Sequence, residues 1–297
     1  EWMQALAQIP NIPLDDVPVG ADETENKVLR QLGRPPEFDF VPKDHMALGE
    51  YLGIIDRPRA AKTSGARFGF KKGAAALLDM ALVQFVFGAL TDPKIIARVA
   101  QSVDPKLSTR PFVPVLPPVM IKPEVYTRTG RLSPEDADEK YRLAQDELYL
   151  IGSAEHTLVA MHMDEILDSA ELPLRYIGFS TCFRREAGSY GKDTKGMLRV
   201  HQFDKLEMES LSTPETSLAE HNFLVALQEY LIGELKLPYQ VVINCTGDMG
   251  KPTARQVDIE TWLPGQAKYR ETNSADYMTD YQARHLNIKY RKAGGRT

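Results

Sequence analysis

Arg184 and Glu186 stand two residues apart in a run, Arg175 to Glu186, whose composition predicts a β-strand. Side chains two apart on a strand point the same way, so a cation and a carboxylate would share one wall. The loop that follows, residues 187–196, holds three glycines and two lysines, a composition that bends tightly and brings positive charge to a phosphate. The return run, Arg199 to Ser210, carries Phe203 and Glu207 on a common face. An anion clamp, an aromatic plate and two carboxylates suit nucleotide-dependent acyl activation: Arg184 would grip a phosphate through its fork and Phe203 would offer a face to adenine. Stacking a base on an aromatic ring is worth about 1–3 kcal/mol. A surface hairpin with Phe203 in the core and its charges solvated has the same composition, and charged hairpins are common.

The order of the residues goes further than their types. Phe183-Arg184-Arg185-Glu186, the glycine-rich loop to Gly196, and Arg199-Val200-His201-Gln202-Phe203-Asp204-Lys205-Leu206-Glu207-Met208 together resemble motif 2 of the seryl-tRNA synthetases, a family of class II aminoacyl-tRNA synthetases. Gly152-Ser153-Ala154-Glu155 is similar to that family's Thr-x-Glu serine-binding signature, with Ser153 in place of threonine. Read alone, a Ser and a Glu opening an apolar helical run form an N-terminal cap, and the two roles are compatible. Residues 244–250 and 258–264 resemble the family's active-site strands, and Tyr269-Arg270-Glu271-Thr272-Asn273-Ser274 resembles its segment for ATP and magnesium, with Asn273 where serine is usual. Asp280 to Arg284 resembles the strand that follows, with His285 where arginine is common. Upstream, residues 9–13 and 17–20 resemble the junction before the catalytic domain, and the helix from Gly73 with the strand ending at Pro117-Pro118 resembles motif 1.

The resemblance implies that the carboxylate of L-serine attacks the α-phosphate of ATP, giving seryl adenylate and pyrophosphate. The acyl group then passes to tRNA(Ser), with tRNA(Sec) left open as a further acceptor. Arg184 would hold both reactants, and Glu186 would meet adenine. Arg185 and Val200 would contribute to ATP binding and Phe203 would stack. Ser153, Glu155, Arg184 and Glu207 would bind serine. Glu271, Thr272, Asn273 and Ser274 would serve ATP, with Glu271 and Ser274 as Mg2+ ligands, a role suited to hard oxygen donors. Catalysis through Arg184 and Glu186 would rest on positioning and charge, leaving His201 no part as a base. Motif 1 implies a homodimer. The family's coiled-coil arm and its motif 3 have no counterpart in the sequence, so the expectation is an incomplete catalytic domain with impaired aminoacylation. A noncatalytic nucleotide-binding paralogue and an amino acid:carrier protein ligase are the competing readings. Missing zinc-ligand spacing counts against the second.

The elements that must position these residues form a pattern of their own. Residues 1–44, rich in proline, acid and glycine, predict an extended lead-in outside the packed unit, with the catalytic domain over 45–297. Helical periodicity from Ala74 to Val103 breaks near Asp92-Pro93, where proline can begin a new helix. Three prolines between Phe112 and Val119 exclude a regular central strand there. From Leu148 onward, short β-rich runs (148–151, 175–186, 199–210, 240–244, 256–262, 281–290) alternate with helical patterns at about 154–166 and 214–234. That order predicts an α+β fold on a largely antiparallel sheet. A net charge of -5 excludes broad electrostatic binding to nucleic acid, and Cys182 and Cys245 fit neither a disulfide framework nor a thiolate metal site. The apolar stretch from Gly73 to Leu90 contains Asp79 and Gln84, which suits a buried amphipathic helix better than a membrane span. The expectation is a soluble cytoplasmic protein.

Overall fold

The computed structural model describes residues 9–133, 137–187 and 196–292. Strand β1 (Lys27–Leu32) precedes helix α1 (His45–Tyr51), the short pair β2 (Ile55–Asp56) and β3 (Phe70–Lys71) around α2 (Arg57–Thr63), and helices α3 (Ala74–Thr91) and α4 (Pro93–Val103). Next come β4 (Val113–Val115), β5 (Met120–Ile121), α5 (Pro123–Arg128), β6 (Arg142–Leu143), β7 (Leu148–Leu150), α6 (Glu155–Leu158) and β8 (Ile166–Asp168). The hairpin of β9 (Leu174–Phe183) and β10 (Gln202–Leu211) leads into α7 (Ser217–Glu234), followed by β11 (Tyr239–Ile243), β12 (Arg255–Leu263), β13 (Lys268–Tyr277), α8 (Tyr281–Leu286) and β14 (Lys289–Arg291).

Two sheets dominate an α+β architecture. One is fully antiparallel in the order β1-β11-β12-β13; the other runs β10-β9-β4, with β4 parallel to β9. Pro114 sits on that edge strand, where its missing N–H costs no ladder bond. Helix α7 stands between the sheets and is apolar on opposite sides, as a helix enclosed all round must be. Val225 and Ile232 pack with Val241, Ile243, Val257 and Ile259 of the first sheet. Phe223 and Leu227 pack with Ile177 of β9 and with Leu90, Ile96 and Val99 of α3 and α4. The break between α3 and α4 falls at Asp92, whose carboxylate accepts from Lys94 N–H while Pro93 fills the first turn.

Several expectations are corrected. Within the expected lead-in of residues 1–44, β1 pairs with β11 and Val17 is buried in the first core, so these residues belong to the packed unit. Helix α3 is not buried; only Ala89 and Leu90 are, while Leu77 and Leu78 are 73% and 60% exposed. By length and composition alone it could also cross a membrane. The run at 154–166 breaks after a single α-turn and a 3₁₀ turn, and Ile166 belongs to β8. Residues 281–286 form a helix, not a strand, closed by Asn287 in the left-handed conformation and braced by an Asp280–Arg284 ion pair one turn apart at 3.0 Å. Strand β13 was not among the expected runs, because Lys268 to Ser274 is mostly polar and lacks the apolar alternation that marks a strand.

Candidate active site

Every residue from Phe203 to Ser212 and from Arg270 to Asp280 lines a single cavity of 1410 Å³. Strands β10 and β13, each at the end of its sheet among the described residues, border this cavity from the two sheets. The β9–β10 hairpin holds the first group of candidates. Strand β9 ends at Phe183, one residue before the predicted wall, and Glu186 is left-handed at φ 53°. Arg184 and Glu186 therefore do not share a strand face by alternation; they reach the cavity from a loop. The loop is tied by Arg184 N–H donating to His201 O at 3.0 Å and by Arg67 donating to Glu186 O at 3.2 Å. Residues 188–195, singled out for their glycines and lysines, lie outside the described residues.

Arg184 lies over the Phe203 ring at 5.3 Å and donates to Gly152 O at 3.3 Å. The guanidinium is thereby held between the aromatic plate and the Gly152–Glu155 turn. Glu186 accepts from Arg199 at 3.1 Å. Val200 is buried in the lining. Arg185 is exposed and does not line the cavity; its backbone N–H instead donates to Glu139 O. His201 is held structurally, its ring against Phe68 and Tyr141 and its Nδ1 against Arg184 O.

The Ser153–Glu155 turn faces the same space. Ser153 donates to Glu207 and accepts from Glu155 N–H at 3.3 Å, so one hydroxyl both holds the helix start and meets the cavity carboxylate. Period-two alternation carries Phe203, Lys205, Glu207 and Glu209 to one side of β10, and Lys205 stands 3.8 Å from Glu207. Burial raises Glu207 and raises Glu209 well above the usual carboxylate range, with neighbouring acids adding to both. Burial also works to raise Glu155, but the Arg131 charge and the bonds from Arg131 and Gln282 bring it down to about 2. Arg131, Lys205, Glu209, Asp276 and Gln282 line the cavity and were missed by the sequence reading. Lys205 and Glu209 were accessible from alternation with Phe203 and Glu207; Arg131 carries no local signal.

The candidate metal pair depends on one irregularity. Glu271 and Ser274 are three residues apart, which on a regular strand puts them on opposite faces. The register of β13 against β12 runs Ser274 to Asp258, Asn273 to Ile259, and Glu271 to Glu260, leaving Thr272 as the extra residue of a bulge. Since Asp258 and Glu260 share a face, Glu271 and Ser274 do too. Thr272 is fixed in the bulge by its hydroxyl on Ile259 O at 3.2 Å, and Asn273 accepts from that hydroxyl at 2.9 Å. Burial, then the charge of Glu271, pushes Asp258 to about 7. Among the described residues no group of three acids, histidines or cysteines could enclose a metal. One carboxylate and one hydroxyl fit magnesium that keeps its waters and arrives on phosphates, not an all-protein cage.

Comparison with known proteins identifies the family of the fold that carries this cavity. Residues 139–297 match the family model of the tRNA synthetase class II core domain (G, H, P, S and T). The chain is 45% identical over 292 residues to the serine–tRNA ligase of Acidothermus cellulolyticus and 45% identical over 294 residues to that of Clavibacter michiganensis. It covers 98% and 99% of itself in these matches but 65% of each relative's length. Among solved structures, seryl-tRNA synthetase from Pyrococcus horikoshii complexed with ATP superposes with a TM-score of 0.88 at 40% identity, over 99% of this chain and 66% of that one. The cytoplasmic serine–tRNA ligase of Naegleria fowleri in complex with AMP gives 0.86 at 30% identity, over 98% and 66%. With more than half of its residues matched to the core-domain model and its sheets arranged as in these enzymes, the chain belongs to the class II tRNA synthetase core-domain family.

Proposed function

We propose that the chain is catalytic-domain sequence of a serine–tRNA ligase, which activates L-serine with ATP and transfers it to tRNA(Ser). The observation that carries this reading is the place of Arg184: its guanidinium lies on Phe203 and against Gly152, in the cavity that also holds Ser153, Glu155 and Glu207 on one side and Glu271 and Ser274 on another. A fork at that point can neutralise a carboxylate and a phosphate together, which is what joining serine to the α-phosphate requires. Phe203 gives adenine a face, and Glu186 gives its amino group an acceptor. The acids around Ser153 suit an ammonium and a hydroxyl. Magnesium held by Glu271 and Ser274 would neutralise phosphate charge.

The names and ligands of the relatives support the same reading. A second copy of the chain is the proposed cover for the apolar face of α3, giving a homodimer. The two buried thiols suit a reducing, cytoplasmic setting.

The test is serine-dependent exchange of pyrophosphate into ATP by the intact protein. Serine should drive exchange and alanine should not, since groups built to bond a hydroxyl are left unpaired by an analogue that lacks it, a discrimination that reaches about ten thousandfold. Arg184→Ala should lower the rate roughly a hundredfold to a thousandfold. Exchange with alanine as fast as with serine would sink the reading, and nucleotide binding without any exchange would favour the noncatalytic paralogue.

A further inference from the structure

Three parts of the chain meet around the ion pairs of Arg131. Arg131, on the loop after α5, donates through Nε to Glu155 Oε1 at 2.8 Å and through Nη2 to Asp276 Oδ2 at 2.9 Å. Gln282 of α8 donates to the same Glu155 Oε1 at 2.8 Å and is itself anchored on Thr129 O at 3.2 Å. Both donors converge on Glu155 Oε1, so neither occupies its Oε2. Asp276 repeats the pattern: Oδ2 is occupied by Arg131, while Oδ1 is buried without a partner among the described residues. A buried acceptor left open is costly unless something donates to it. All four side chains line the active-site cavity.

We propose that Arg131 is a positioning residue, which turns Glu155 and Asp276 so that one oxygen of each is offered to the amino group of the amino-acid substrate. A primary ammonium carries three donors and no acceptor, so two fixed carboxylate oxygens match it where a neutral group would not. Arg131 keeps Glu155 ionised for this purpose, and its fork sets the direction of both acids at once, which a single point charge cannot do. Asp276 is therefore assigned to recognition of the amino group, beside the Glu155 already expected there. This inference rests on the serine-activating reading above.

The test measures serine and ATP dependence of pyrophosphate exchange separately, first in the wild type and then in Arg131→Gln, Arg131→Lys and Asp276→Asn. Arg131→Gln should raise KM for serine by about tenfold or more, the loss expected when a charge-assisted contact is misdirected, while KM for ATP and affinity for AMP stay at wild-type values. Arg131→Lys should recover part of that loss. Asp276→Asn should also raise KM for serine and leave ATP unaffected. An Arg131→Gln protein with unchanged KM for serine overturns the proposal, as does one in which serine, ATP and AMP are all weakened together. A wild type with no serine-dependent exchange fails earlier, and overturns the serine-activating reading along with what rests on it.

Discussion

Asp258 shows how one residue couples the site to pH. The residue is 6% exposed; its carboxyl accepts from Asn244 at 2.9 Å and from Gln256 at 3.1 Å, and is pushed by burial and then by Glu271 from an ordinary 3.8 to about 7. Because the folded state binds this proton more tightly than the unfolded chain, the stabilising effect is complete below about pH 4 and is lost as pH rises through about 7. Asp258→Asn removes the titration, so urea midpoints measured at pH 5 and pH 8 should differ less in the variant than in the wild type. The difference removed is on the order of 2–4 kcal/mol. An unchanged pH slope would refute the assignment. The same residue was legible in sequence only as one of two alternating acids, which would ordinarily face solvent. Its burial comes from neighbours that the strand pairing supplies.

At the scale of elements, the joint between β9 and α7 keeps the β9–β10 hairpin in place. Arg175 makes two bonds to Glu220, at 2.9 and 2.6 Å, and two more to Ser108 O and Arg110 O, each at 2.9 Å. Its guanidinium sits 4.4 Å from the Phe223 ring centre and is wholly buried, with Glu220 3% exposed. Ser210 of β10 donates to the same carboxylate at 2.9 Å, so one ion pair joins both strands of the hairpin to the central helix. Glu220→Gln leaves a buried guanidinium without its counter-charge and should cost about 3–5 kcal/mol, read as a lower urea midpoint. Loss of under about 1 kcal/mol, the range of exposed pairs, would show the joint to be dispensable. The hairpin itself was readable in sequence from its alternating runs. Its end was not, because Phe183 is the last ladder residue only by virtue of where the chain turns.

For the whole molecule, the exposed face of α3 is the feature that the isolated chain leaves unexplained. Leu77, Leu78 and Met80 are 73%, 60% and 49% exposed on a helix whose Asp79 pairs with Lys71 of β3. A contiguous apolar helix face of this kind is a contact surface, and the proposed homodimer covers it. Leu77→Glu combined with Leu78→Glu should shift the protein from dimer toward monomer in sedimentation velocity, while leaving the cores around α7 intact. A wild type that sediments as a monomer at micromolar concentration, or a variant that remains dimeric, contradicts that cover.

Local order alone carried the α+β pattern, a helix within residues 214–234, the break at Asp92-Pro93, and the run of residues that marks the hairpin. Each depends on side chains near one another in the chain, through periodicity, capping and turn preference. Tertiary structure decided the rest. A bulge at Thr272 turns Glu271 and Ser274 to one face, and that depends on the register against β12. Arg131 meets Asp276 from 145 positions away. Residues 27–32, expected in a lead-in, close the sheet as β1 instead of trailing from it. Register and long-range pairing are set by the partner strand and the packed core, which no single stretch of sequence contains.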